Sequence, residues 1–262
     1  MSLDRIYAVI CRHGYDARRN LNRVADTIYW PAQNMIVWGF FTLYLSRGHQ
    51  LEPGLVSSLL GAIMLWGMFN SFQRDLAVGF MEELWSRNFV NLFSTPLQVS
   101  EYIIGLLLVN LLKALLGLVI AAVIAEVCYA AHLFPFLPGL LPFLLVLILF
   151  SLSTGLVITG LIFRFTTKIQ TLAWSFAGLL MPLSCVFYPI SALPGWLQPL
   201  AWALPTTHAF EGMREDIAHG FISLTHFGWG MALNGVYAIF ALSFFRGMFE
   251  LARRRGFLIK HE

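Results

Sequence analysis

An all-α, polytopic membrane fold is predicted by three features of this sequence: a very apolar composition, several apolar stretches of membrane-crossing length, and cations gathered on alternate connections. Of the 262 residues, 58% are hydrophobic and 12% charged, whereas a soluble domain carries roughly 25% charged residues. A larger soluble core does not explain the deficit, because the stretches reach or approach the ~20 residues a helix needs to cross a bilayer. We read residues 1–262 as one domain of six transmembrane helices, with an N-terminal amphipathic interfacial helix and short re-entrant helices before the last span.

The interfacial helix occupies residues 1–28. Ile6, Val9, Ile10, Leu21, Val24 and Ile28 offer apolar surface, and Arg5, Arg12, Arg18, Arg19 and Arg23 crowd the rest. Such a helix lies in the headgroup region near anionic lipid. No basic region, continuous apolar run and small-residue cleavage site mark a leader. Pro31 marks a bend or a helix start. The spans fall at about 30–46, 55–73, 102–126, 140–163, 169–189 and 226–247.

Two connections stand out. Residues 74–101 look helical as far as Phe93 and break at Ser94-Thr95-Pro96, since proline disfavours helix at the residue before it. Residues 190–225 lie among Pro182, Pro189, Pro194, Pro199 and Pro205 yet carry Trp196, Leu197, Leu200 and Trp202. This is too apolar for a wet loop and too broken to span. One or two short helices dipping back into the outer leaflet satisfy both conditions, provided protein or a cavity surrounds them.

Orientation follows from Lys and Arg. With the N-terminus inside, 14 of the 17 cations are cytoplasmic, Arg47 and Arg214 are outside, and Lys113 is within a span. Six spans then place both termini in the cytoplasm.

The sequence holds no GxxxxGK[ST] loop, HExxH or GxSxG. Active transport would therefore draw on an ion gradient or a separate ATPase. Glu82-Glu83-Leu84-Trp85-Ser86-Arg87 matches the EExxxR string of CAAX-type intramembrane proteases, but the Phe-xxx-His that this chemistry also needs occurs only as Phe257–His261, in the charged segment after the last span. The plainer reading is a helix surface with a Glu83–Arg87 pair at i,i+4. Cys11, Cys128 and Cys185 lie too far apart for metal-ligand spacing, and His208, Glu211, Arg214, Glu215 and Asp216 match no metal motif, reading instead as a helix with charges facing water.

Lys113 is the clear intramembrane charge. Eleven residues into its span, ~16 Å at helical rise, it serves either a pathway or inter-helix contact, or snorkels toward headgroups. Trp38, Phe41 and Tyr44 on the first span and Trp66 and Phe69 on the second are dense enough to line a path, although aromatic stripes also serve packing.

Two stretches carry a resemblance. MEELWSRNFVNLFSTPLQVSEYIIG, with Ser94-Thr95-Pro96-Leu97 before Glu101-Tyr102, resembles the loop-to-third-span signature of the permease subunits of ABC-2 family ABC exporters. FYPISALPGWLQPLAWALPTTHAFEGMR is similar to that family's segment between spans five and six. The likeness covers nearly the whole chain. It implies a homodimer of about twelve spans bound to two copies of a separate nucleotide-binding ATPase, which holds ATP and Mg; this chain needs no cofactor. It implies that the loop around Glu82, Glu83 and Arg87 receives the ATPase's motion, and that spans one, two and five border the path. Path candidates are then Trp38, Phe41, Tyr44, Trp66, Phe69 and Lys113, with an external gate at Pro189, Pro194 and Trp196. The expected setting is the cytoplasmic (inner) membrane of a bacterium, in contact with lipid and not with nucleic acid. Cargo would be a glycan, a lipid-linked glycan, a drug or another amphipathic compound. Rival readings are an intramembrane enzyme, a gradient-driven transporter and a non-transporting scaffold. The gradient-driven reading lacks a midplane carboxylate and repeat symmetry.

Overall fold

A computed structural model describes residues 1–49, 53–86, 88–129, 137–165 and 169–255. Among these residues all regular structure is helical: α1 (Leu3–Arg19), α2 (Leu21–His49), α3 (Pro53–Trp85), α4 (Phe89–Ser94), α5 (Val99–Tyr129), α6 (Leu137–Phe165), α7 (Thr171–Leu180), α8 (Gln198–Trp202), α9 (Pro205–His219) and α10 (Leu224–Arg255). Val99–Tyr129, Pro138–Phe165 and Leu224–Arg254 are long and apolar enough to cross a membrane. α2 and α3 are as long, and Asn34 and Ser71 among others line a cavity between them.

Side-chain contacts fix the helix directions. Pro31 of α2 meets Gly117 of α5, and the Tyr129 hydroxyl of α5 donates to the Ile36 carbonyl at 2.8 Å, so α2 and α5 run parallel. The Tyr102 hydroxyl near the start of α5 stands 3.3 Å from the Gly79 carbonyl late in α3, so these two are antiparallel. Phe69 pairs with Phe150 and Phe80 with Phe163, which sets α3 parallel to α6. Val146 meets Gly230 and Gly160 meets Phe244, which sets α6 parallel to α10. Without water to drive helices together in lipid, association depends on such close approach at small residues. At Gly105 and Gly230 an added Cβ would stand 2.6 Å and 2.9 Å from valine methyls.

The apolar interior falls into two clusters. One contains Trp66, Phe69, Phe143, Phe150 and Phe210. The other gathers Val9, Leu84, Tyr102, Phe163 and Ala252. It joins the starts of α1 and α5 to the ends of α3, α6 and α10, so both ends of the described chain lie at the same end of the bundle. We call this the α1 end, and the opposite one the α8 end.

Three boundaries differ from the sequence prediction. The N-terminal helix stops at Arg19, and residues 21–28 begin α2, which runs through Pro31 without a break. The proline costs one hydrogen bond, and its ring is accommodated against Gly117. Of the segment 74–101, residues up to Trp85 continue α3, and only α4 and its flanks form a connection. The stretch 169–189 is not one long helix. α7 has 10 residues and passes into turns in which the Ser184 amide still bonds the Leu180 carbonyl. Pro182 has no amide to donate, and Cys185, with φ 53°, turns the chain out of the helix.

Candidate functional site

At the α1 end a polar clamp ties four segments together. Glu83, 2% exposed near the end of α3, accepts from Arg12 of α1 at 2.7 Å, from Asn88 at the entry of α4 at 2.9 Å, and from the Tyr102 hydroxyl of α5 at 3.1 Å. Glu101, fully buried at the start of α5, accepts the Ser2 amide at 2.7 Å and the Gln98 amide at 2.9 Å, and pairs with Arg5 at 3.3 Å. Arg5 also donates to the Pro96 carbonyl. Arg5, Val9 and Arg12 share one helix face by their i, i+4, i+7 spacing, and Val9 fits against Gly105. A groove of about 220 Å³ remains between α1 and the α4 connection, lined by Arg5, Arg12, Leu92 and Leu97 among others.

In the middle, a cavity of about 280 Å³ lies among α2, α3 and α5, with His13 of α1 and Trp174 of α7 also on its wall. Asp75 stands on α3 between Arg74, at 3.2 Å, and Lys113 of α5, at 4.0 Å. Asn110, one turn from Lys113 and 3% exposed, has an amide nitrogen with no hydrogen-bond partner among the described residues.

At the α8 end, α9 latches the broken end of α7. Arg214 donates to the carbonyls of Cys185, Val186 and Tyr188 and pairs with Glu211 at 3.1 Å. Glu211 in turn accepts the Ile190 amide at 2.7 Å. The Ser184 and Thr206 hydroxyls bond at 2.8 Å, and the Thr207 hydroxyl reaches the Leu183 carbonyl at 3.1 Å. Nearby, the Nδ1 atoms of His208 and His226 stand 3.3 Å apart, and Glu215 stands 3.4 Å from His226 Nε2. Burial holds His208 below the usual histidine range and raises the Asp216 carboxyl above the usual carboxylate range.

These positions sort the sequence candidates. Glu83 is the buried centre of the clamp rather than part of an exposed helix surface; Glu82 is half-buried beside it, and Arg87, its expected i,i+4 partner, lies outside the described residues. Trp66 and Phe69 are in the core, stacked on each other at 4.9 Å, whereas Trp38, Phe41 and Tyr44 are exposed on α2, Trp38 stacking on Phe187 at 5.1 Å. Pro189, Pro194 and Trp196 are exposed at the α8 end, Trp196 by 74%. Lys113 pairs with an acid that sequence reasoning assigned to a cytoplasmic loop. Arg214 and Glu211 do not face water but hold the α7 turn. Among the described residues no group of three metal-ligating side chains converges.

Sequence reasoning missed Arg12, Asn88, Tyr102 and Asp75 as site residues. Arg12 had a legible signal in its spacing from Arg5. Asp75 had none, because its pairing with Lys113 depends on the register of two antiparallel helices.

Helices of crossing length, parallel and antiparallel in turn, around a charged internal cavity are the architecture of a polytopic membrane protein. The sequence pattern of the ABC-2 type transporter matches residues 16–217. The chain belongs to that family and is an ABC-type membrane permease. A search of curated proteins finds no match.

Proposed function

We propose that this chain is the permease subunit of an ATP-driven exporter. It works as a homodimer with two copies of a separate ATPase that binds ATP and Mg. It moves a glycan, lipid-linked or other amphipathic compound out of the cytoplasm, across the cytoplasmic (inner) membrane of a bacterium. Both termini face the cytoplasm, and six membrane passes per chain alternate in direction, α7 with its following turns serving as the short fifth.

The observation that carries this reading is the clamp. A force applied to α4 or α1 reaches α3 and α5 through Glu83 and Glu101, so a partner docking in the groove lined by Arg5, Arg12 and Leu92 moves long helices as levers. Glu82 lies beside that contact and Glu83 positions it from inside; the coupling role of Arg87 rests on the family resemblance alone. The exposed aromatics Trp38, Phe41 and Tyr44 of α2 border the path, with Lys113 reaching it from the side. Pro189, Pro194 and Trp196 cap the exit as its outer gate.

The test is purification of the tagged chain in gentle detergent, with an ATPase assay on what accompanies it. A co-purifying nucleotide-binding subunit is expected, with activity lost when Leu92 is changed to Asp. A chain that recovers no such subunit in any of several detergents overturns the assignment.

A further inference from the structure

We propose that the cavity among α2, α3 and α5 is a binding site for a zwitterionic phospholipid, one whose headgroup carries both a phosphate and an amine. The site lies inside one protomer and does not depend on what the transporter exports or in which direction.

The wall of the cavity is graded. The contacts of Pro31 with Gly117, of Gly79 with Leu106, and of Tyr102 with the Gly79 carbonyl set the register of the three helices. In that register Asp26 of α2, Arg74 and Asp75 of α3, and Asn110 and Lys113 of α5 form one polar band. About one and a half to three turns further toward the α8 end the wall consists largely of Met35, Ile63, Met64, Leu118 and Ala121. The band coincides with the sequence-predicted ends of spans one and two. The polar band therefore lies toward the α1 end of the cavity and the apolar part toward the α8 end. A ligand polar at one end and apolar at the other, oriented as a leaflet lipid is, matches this gradient.

The band selects the headgroup. Asn110 presents a buried amide nitrogen without a partner among the described residues, which is costly unless a ligand or water accepts from it. Lys113 is held by Asp75 only at 4.0 Å, so its ammonium retains donors for a second anion. These two residues, one turn apart on α5, suit a phosphate. Asp26 on the facing helix, with Glu82 also on the wall, supplies negative charge for an amine. A headgroup with phosphate alone would set its charge against these acids. The mouth is lateral: Asp26 and Trp30 on α2 and Trp174 on α7 line the cavity and are exposed, so a lipid enters from the bilayer without unfolding a helix.

The experiment uses the full chain reconstituted in nanodiscs of phosphatidylethanolamine and phosphatidylglycerol at equal mole fraction. It is then extracted into gentle detergent, and the retained lipid is read by native mass spectrometry. Retained phosphatidylethanolamine is expected to exceed phosphatidylglycerol about fivefold or more, with Lys113→Met and Asp26→Asn each bringing the ratio near the input. Gly67→Leu tests the cavity without removing a charge, because nothing stands within 4 Å of a Cβ at Gly67 and leucine favours helix. It is expected to lower total retained lipid while unfolding at the wild-type temperature or above. Val119→Ala, on the exposed face of α5, is expected to change nothing. Retention at the input ratio in the wild-type chain, preference for phosphatidylglycerol, or full retention in Gly67→Leu would each overturn the proposal. Soluble phosphoethanolamine binding as tightly as the lipid would also overturn it, since the apolar end would then contribute nothing.

Discussion

Single residues carry the connection between the end of the bundle and its interior. Glu83 is the clearest case: a carboxylate with three donors from three other segments, buried to 2% exposure. Removing one member of a buried pair leaves the other without compensation, whereas removing both ends is often nearly neutral. Arg12→Met is therefore expected to lower stability by about 1–3 kcal/mol, moderated because Arg12 keeps 38% side-chain exposure. The double variant Arg12→Met, Glu83→Gln is expected to recover part of that loss. Thermal unfolding of the four proteins in one detergent checks the sign of the coupling. A double variant whose loss equals the sum of the two single losses would mean that Glu83 and Arg12 do not depend on each other. Sequence made Glu83 a candidate because of its neighbours Glu82 and Arg87, and gave it a surface role. Burial could not be read there, since three of its contacts come from residues 5 to 71 positions away.

At the scale of elements, legibility tracked continuity. α5 and α6 extend only a few residues beyond the spans predicted at 102–126 and 140–163, because an uninterrupted apolar run has few alternatives in a bilayer. α7 was misjudged because 169–189 is as apolar as a span while Pro182 and the left-handed Cys185 close its helix early. What replaces the missing turns is α9. Arg214 takes three carbonyls that a longer helix would have satisfied internally, and bonds from a charged donor are worth about 1.5–3 kcal/mol each where neutral ones give about 1. Arg214→Met is expected to free the α7–α8 turn without loosening α5 and α6. Hydrogen exchange should then accelerate tenfold or more at residues 184–192 and stay unchanged across α6. Equal acceleration in both would mean that Arg214 supports the whole bundle rather than this latch.

For the whole molecule, the decisive question is which face meets a second copy. Exposed apolar residues occur on α5 (Leu112, Val119, Val127), on α10 (Trp229, Val236, Ile239) and on α2 (Phe40, Phe41, Tyr44). In a bilayer all three can face acyl chains, so exposure alone selects none. Composition separates them. The α5 and α10 faces are mostly aliphatic, whereas α2 presents aromatic rings, and these have an apolar body suited to packing and, in Tyr44, a hydroxyl suited to a wet path. Trp38 on this face stacks on Phe187, just after the α7 turn, so α2 and the gate segment would move together. A homodimer built on this face is expected to bring Tyr44 near its counterpart across the two-fold axis. The measurement is disulfide formation by Tyr44→Cys in membranes, with Cys11, Cys128 and Cys185 first replaced by serine because Cys128 is exposed on α5. Val236→Cys on α10 serves as the control. Cross-linked dimer from Tyr44→Cys and little from Val236→Cys places the path at α2. The reverse result would move the interface to α10, and Trp38, Phe41 and Tyr44 would then be lipid-facing.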